Sequence, residues 1–326
     1  MAKLLEPQVQ LKDRYRIAGP IGQGGMGAVY RAEDTLLSGR ICAVKEISLD
    51  PDNPKELLTQ LQEQFRQEAS VLARLDHPNL PKVSDYFTHD GREYLVMDYV
   101  PGHNLREIIE EAAAEDHPLE ESDVLDWAQQ LCSALYYLHS QDPPVLHRDI
   151  KPSNIKLMPS GLIKLVDFGL VKLLTSDESR TVTVVQGQGT AAYTPLEQYG
   201  GDDVHTDTRT DTYALGATLY HLLAGRPPAG ARERFLRANS LVPLREINPH
   251  VSPGVERAIE QALSLHPDDR PATVQLFAES LRSAAIPASI APLILTGAEW
   301  RRTWRKNIPL IIVAAVLVLV ALVITP

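Results

Sequence analysis

The run Val145-Leu146-His147-Arg148-Asp149-Ile150-Lys151-Pro152-Ser153-Asn154-Ile155 constrains this chain more than any other stretch. Asp167-Phe168-Gly169 belongs with it, following the apolar residues Ile163 to Val166. Two acids, an amide and a lysine sit close together in a segment bounded by apolar residues. Such a mixture is costly to bury unless the groups bind something charged. Phosphoryl transfer suits it, because there the protein positions a metal, phosphates and an acceptor hydroxyl and forms no covalent bond itself.

Composition narrows the alternatives. A chain of 326 residues with 44% hydrophobic content has room for one large domain or two lobes and a sizeable core. A formal net charge of -10 and a pI near 5.5 argue against nucleic acid, which calls for a basic stripe. The two cysteines, Cys42 and Cys132, lie inside apolar patterns with no metal or redox spacing, and read as buried free thiols in a reducing compartment. The N-terminus lacks the long apolar core of a secretory signal, so the domain is expected on the cytosolic side.

Upstream of the polar run, Ile21-Gly22-Gln23-Gly24-Gly25-Met26-Gly27-Ala28-Val29-Tyr30 is bracketed by β-favouring residues. A G-x-G-x-x-G pattern also fits a dinucleotide fold, where it joins a strand to a helix. Here Val29-Tyr30-Arg31-Ala32 reads as a second strand, which argues for a hairpin lying over phosphates, its glycines letting backbone amides approach closely. Ile41 to Lys45 is a strand ending in a lysine. From Leu57 to Leu75 a helix is expected, with Leu61, Phe65, Ala69, Leu72 and Leu75 spaced for one apolar face. Tyr94 to Val100 reads as a strand running into Pro101-Gly102. Beyond it a capping sequence, Glu121-Ser122-Asp123, precedes a core stripe of Leu125, Ala128, Leu131, Cys132, Leu135 and Leu138.

Taken in order, these segments resemble protein kinases. The His147 to Asn154 run resembles their catalytic loop, with the lysine two residues after Asp149 that marks the Ser/Thr type, and Asp167-Phe168-Gly169 resembles their metal-binding triplet. The resemblance spans about Tyr15 to Leu281. Gly24-Gly25-Met26-Gly27 and Glu197-Gln198-Tyr199 bring it nearest to the bacterial transmembrane Ser/Thr kinases. It implies an α+β, bilobal protein kinase fold with a β-rich N-lobe and a helical C-lobe, using ATP and Mg²⁺, with Mn²⁺ as a substitute.

The same resemblance assigns roles. Asp149 orients the acceptor hydroxyl and accepts its proton, and Lys151 neutralises charge on the transferred group. Asn154 and Asp167 supply the oxygen ligands that hard Mg²⁺ needs. Ile21, Gly22, Gln23, Gly24, Gly25, Met26, Gly27 and Val29 cover the nucleotide, and Lys45 holds its α- and β-phosphates. Glu68 pairs with Lys45, or else is one more solvated helix acid. Met97 backs the adenine site, and backbone groups from Asp98 to Val100 bind the adenine edge. His147 is read as a packing residue beneath the triplet, not a base. Phe168 is expected to stack under Leu72. Glu197 is expected to pair with Arg270, although Pro195-Leu196-Glu197 departs from the usual Ala-Pro-Glu or Pro-Pro-Glu and leaves the peptide-docking shelf less defined. Asp211 anchors the catalytic-loop backbone. Arg148 marks a kinase switched by phosphorylation of the loop beyond Gly169, where Thr181 and Thr183 are the favoured sites.

At the end of the chain, Arg301, Arg302, Arg305 and Lys306 precede an uncharged apolar run over 308–325. About 18 residues at about 1.5 Å each give roughly 27 Å, close to a bilayer's hydrocarbon thickness. The organisation expected is a leader over 1–14, a kinase domain over 15–282 (N-lobe 15–97, C-lobe 101–282), a juxtamembrane linker over 283–307 and a single transmembrane helix over 308–325. The basic cluster and Trp304 put the kinase in the cytosol and the C-terminus outside. With no room for an outer sensor, regulation is expected from partners, the membrane or crowding within it, which favours self-association and phosphorylation between copies. The partners implied are proteins bearing Ser or Thr. The alternative is a nucleotide-binding pseudokinase acting as a membrane-tethered scaffold.

Overall fold

Burial at every second residue of Gly27–Asp34 marks a strand with one face in a core, and its neighbours follow the same period. The computed structural model describes residues 4–24, 27–47, 54–167, 191–199, 206–237 and 239–285. Its first lobe is a six-stranded antiparallel sheet of β1 (Gln10–Leu11), β2 (Tyr15–Gly24), β3 (Gly27–Asp34), β4 (Ile41–Ile47), β5 (Val83–His89) and β6 (Arg92–Asp98), in the order β1-β2-β3-β4-β6-β5. β2 and β3 pair to the end, Gly24 opposite Gly27, so the glycine-rich segment is a hairpin and not a strand-to-helix turn.

The sheet is buried on both faces. Against one face packs helix α1 (Lys55–Arg74), whose Phe65, Ala69 and Leu72 meet Ile47, Val83 and Leu95. The other carries Tyr15, Ile17, Tyr30, Val44, Phe87 and Tyr94, with Phe87 stacked between Tyr15 at 5.7 Å and Tyr94 at 5.3 Å. Leu4, Leu5 and Val9 cover this second cluster, and the Gln8 N–H donates to Ile17 O while the Ile17 N–H donates to Val9 O, both at 2.8 Å. The leader expected over 1–14 is therefore corrected: from Leu4 onward it belongs to the lobe, because the aromatic face would otherwise stand in water.

Past Pro101 the chain turns at Gly102, with φ +100°, where an added Cβ would lie 2.1 Å from Leu157 O. Then come β7 (His103–Asn104), α2 (Leu105–Ala114), α3 (Glu121–His139), β8 (Ile155–Leu157) and β9 (Ile163–Leu165), the three strands forming a small sheet in the order β7-β8-β9. The stripe on α3 is core as its spacing predicts, each fully buried leucine contributing about 1.5–3 kcal/mol. Helix α4 (Thr208–Ala224) is buried nearly all round, and α3, α6 (Leu244–Ile247), α7 (Pro253–Ala262) and α8 (Val274–Ala285) pack on it, with α5 (Ala231–Leu236) beyond. The two-lobed α+β architecture is the one expected, and α8 runs to Ala285, past the boundary set at 282. Both cysteines are buried and free.

Among the described residues no helix is long and apolar enough to cross a membrane. The apolar run over 308–325, and the linker from residue 286 on, lie outside the described residues.

Candidate active site

Helix α3 ends at His139, and the Val145 N–H donates to Leu138 O at 3.0 Å, which aims the following residues at the cleft between the lobes. Asp211, in the first turn of α4, then fixes them. Its fully buried carboxylate accepts the backbone N–H of His147 at 2.9 Å, that of Arg148 at 2.8 Å, and His139 Nε2 at 2.9 Å. Burial alone would raise this carboxyl, but the His139 donor, its charge and the backbone donors hold it below the usual range. Arg148 takes a left-handed φ of 63°. His147 itself is 1% exposed and burial pushes its imidazole down, as suits a packing residue.

Asp149 Oδ2 accepts Lys151 Nζ at 2.9 Å and Asn154 Nδ2 at 2.8 Å, and the same amide donates to Asp149 O at 2.9 Å. The carboxylate is thus held in one orientation, partly open to solvent. Asn154 spends its N–H groups on Asp149, which leaves Oδ1, reached only by the Ser153 hydroxyl at 3.5 Å among the described residues, as its free oxygen. The Val166 N–H donates to Asn154 O at 2.8 Å and so brings Asp167 beside Asn154. A buried residue that sequence reading missed steadies this strand: Asn79 accepts the Leu165 N–H at 2.8 Å and donates to Ile163 O at 2.8 Å. Asn79 follows His77-Pro78 at a helix end, and nothing in that position advertises the role.

Across the cleft, Lys45 pairs with Asp167. The expected partner Glu68 is not joined to it: among the described residues no ion pair links the two, and Glu68 Oε2 is buried without a hydrogen-bond partner. The pairing of Glu68 with Lys45 is therefore corrected for this conformation. Burial raises the Glu68 carboxyl to about 7, and the positive charge of Arg148 offsets only part of that. A small cavity is lined by Lys45, Leu72, Pro81, Val83, Leu95, Met97 and Asp167, so Met97 and Lys45 share one wall of the cleft.

Ile21, Gly22 and Gln23 are exposed at the rim of the hairpin, and Val29 lies opposite Lys45 in the ladder. Gly27 has φ +145°, and a Cβ there would lie 2.0 Å from Glu46 O. At the end of β6 the Asp98 N–H donates to Lys82 O at 3.0 Å, and Asp98 pairs with Cys42 in the ladder; Val100 is buried, with neither backbone group bonded to another among the described residues.

Below the cleft, Arg270 meets Glu197 through Nη1 at 2.5 Å and Nη2 at 3.0 Å, and also donates to Ser264 O at 2.8 Å and Leu265 O at 3.0 Å. Thr210 Oγ1 adds a third donor to Glu197 at 3.1 Å. Despite the leucine in place of the usual proline, the buried pair forms. His139 and Thr210 were not legible beforehand, since each acts on a residue distant in sequence. Gly25, Met26, Phe168, Thr181 and Thr183 lie outside the described residues.

The protein kinase domain family matches residues 15–281. Among curated proteins, the chain is 32% identical over 255 residues to the probable serine/threonine-protein kinase PknB of Lactococcus lactis, covering 77% of this chain and 38% of that one. To the serine/threonine-protein kinase PknB of Mycolicibacterium smegmatis it is 33% identical over 301 residues, covering 89% and 46%. Among solved structures, the apo form of PpkA-294 aligns with a TM-score of 0.71 at 30% identity over 86% of this chain and 100% of that one. The kinase domain of M. tuberculosis PknI aligns at 0.66 and 27% identity, over 86% and 99%. The chain spans 38% to 50% of the length of the curated relatives it matches. With a cleft that gathers Lys45, Asp149, Asn154 and Asp167, and a match running through both lobes, the chain belongs to the protein kinase family, among its bacterial serine/threonine members.

Proposed function

We propose that this protein is a membrane-anchored serine/threonine kinase that transfers the γ-phosphate of ATP to Ser and Thr hydroxyls of proteins, its own loop beyond Gly169 included. The observation that carries the reading is the Asp149 carboxylate, held by Lys151 and Asn154 at 2.9 and 2.8 Å where the two lobes meet. A group so fixed can accept a hydrogen bond from an incoming hydroxyl, set its direction of attack and take its proton as the bond forms. Lys151, already beside that carboxylate, balances negative charge that builds there in transfer. Lys45, on the opposite wall, offers an ammonium to phosphate oxygens.

The donor set fits Mg²⁺. Asn154 Oδ1 and the Asp167 carboxylate are hard oxygens brought together by the Val166 to Asn154 bond, and the remaining positions suit water and phosphate. When bound, the metal would screen phosphate charge during transfer. The exposed rim from Ile21 to Gln23 and the backbone of Val100, unbonded among the described residues, suit a nucleotide lying between the lobes. Anchoring rests on the uncharged run over 308–325 behind four basic residues.

The test is incubation of the full chain, in membranes or detergent, with labelled ATP and Mg²⁺, followed by mapping of the modified residues. The unaltered protein is expected to label Ser or Thr. Asp149→Asn should lower labelling by at least about 100-fold while keeping ATP-dependent thermal stabilisation. Absence of transfer by the unaltered protein to itself or any protein offered would overturn the reading.

A further inference from the structure

We infer that Glu46 is a positioning residue for Lys45, and that the N-terminal segment from Leu4 to Val9 is the strap that holds it in place. The inference rests on the kinase reading, in which Lys45 and the glycine hairpin grip the phosphates.

Glu46 follows Lys45 on β4, so its side chain leaves the opposite face of the sheet. There it is 2% exposed, a carboxylate in the midst of an aromatic cluster. It is held from both sides: Tyr30 Oη donates to Oε2 at 2.9 Å and Arg92 Nη1 to Oε1 at 2.8 Å. The ladder explains the geometry. Tyr30 pairs with Val44 on β3 and Tyr94 pairs with Glu46 on β6, so Tyr30 and Arg92 are the diagonal same-face neighbours of Glu46 on the two flanking strands. The Tyr30 hydroxyl in turn accepts the Leu5 N–H at 3.1 Å, and Leu4, Leu5 and Val9 close over the cluster. A continuous chain of bonds thus runs from the N-terminal segment to the residue beside Lys45.

The backbone of Glu46 supplies a second link. Gly27, which ends the glycine hairpin, sits so close over Glu46 O that a Cβ would approach it to 2.0 Å. One residue therefore seats the hairpin with its carbonyl and sets the twist of the lysine strand with its carboxylate. A buried carboxylate that loses a donor cannot be rehydrated without movement. Here the movement would fall on β4, and so on Lys45 and Gly27 together. The strap acts on nucleotide binding although it touches no part of the cleft.

The experiment uses the full chain with Tyr30→Phe, with deletion of residues 1–9, and with both. It reads the dissociation constant of a fluorescent ATP analogue, KM for ATP, kcat and the melting temperature. Each change is expected to weaken nucleotide binding and raise KM about three- to tenfold, with kcat altered by less than about twofold. The double variant should be no worse than the deletion alone, because both cut the same chain of bonds. Glu46→Gln, which keeps an acceptor for Tyr30, should bind nucleotide more tightly than Glu46→Ala. Variants that melt earlier yet keep the unaltered dissociation constant and KM would overturn the inference and leave the network a matter of stability alone. Failure of the kinase reading looks different, since the unaltered chain would then transfer no phosphate while the binding titration still reads the strap.

Discussion

Lys45 pairs with Asp167, 122 residues further along the chain, while Glu68, half-buried on α1, keeps a buried oxygen that no described residue bonds. A lysine has one ammonium to place, and here Asp167, the acid proposed to hold the metal, has taken it. Binding of a magnesium nucleotide would draw Asp167 to the metal and Lys45 to the phosphates, and Glu68 would gain by following Lys45. The resting cleft therefore holds an acid whose desolvation the charge of Arg148 offsets only in part.

That cost has a pH signature. Burial raises the Glu68 carboxyl from its ordinary value of 4.5 to about 7. A value higher in the folded than the unfolded chain contributes stability that is fully present below the unfolded value and is lost as pH rises through the folded one. Without nucleotide, Glu68→Gln is expected to melt close to the unaltered protein at about pH 5 and to gain on it toward about pH 8, because glutamine carries no charge to desolvate. Differential scanning fluorimetry across that range checks it. A constant difference would mean that Glu68 finds a partner in solution.

Asp211 holds three donors at once, two of them catalytic-loop amides. Asp211→Ala strands all three, at about 1–3 kcal/mol each, so the loss should exceed about 3 kcal/mol in denaturant titration. Asp211→Asn keeps one acceptor oxygen and should lose less. In protein that remains folded, kcat should fall more than the KM for ATP rises, because the loop and not the nucleotide pocket is released.

The pair of Glu197 and Arg270 is buried on both sides. Removing either partner leaves a charge without compensation, so Arg270→Ala should cost about 3–5 kcal/mol. Replacing both with apolar residues of similar size should recover most of that. A double-mutant cycle read by chemical denaturation measures the coupling, and additive losses would contradict it.

Removal of residues 301–326 is expected to shift the protein from the membrane to the soluble fraction without abolishing phosphate transfer, since every residue of the described lobes lies before it, the last helix being Val274–Ala285. Fractionation after expression of both forms checks it. A full chain found wholly in the soluble fraction would remove the anchoring proposal.

Much of this protein was legible in its sequence. The hairpin over Ile21 to Tyr30 could be read from glycine spacing and flanking β-formers, the α3 stripe from its period, and Asp149, Asn154 and Asp167 from their crowding between apolar runs. Each of these signals is local, carried by backbone freedom, periodicity or the cost of burying neighbouring polar groups.

Partner choice is not local. Whether Lys45 meets Glu68 or Asp167 depends on where α1 sits against the sheet, a matter of packing between elements far apart in the chain. Likewise the N-terminal residues looked like a leader because no period marks them; only the aromatic face of a finished sheet makes burying them favourable. The sequence by itself determined the set of groups that chemistry here requires and the elements bearing them. Tertiary structure alone decided which charge each group faces, because a buried charge is governed by its nearest neighbours in space, and those are set only once the lobes have packed.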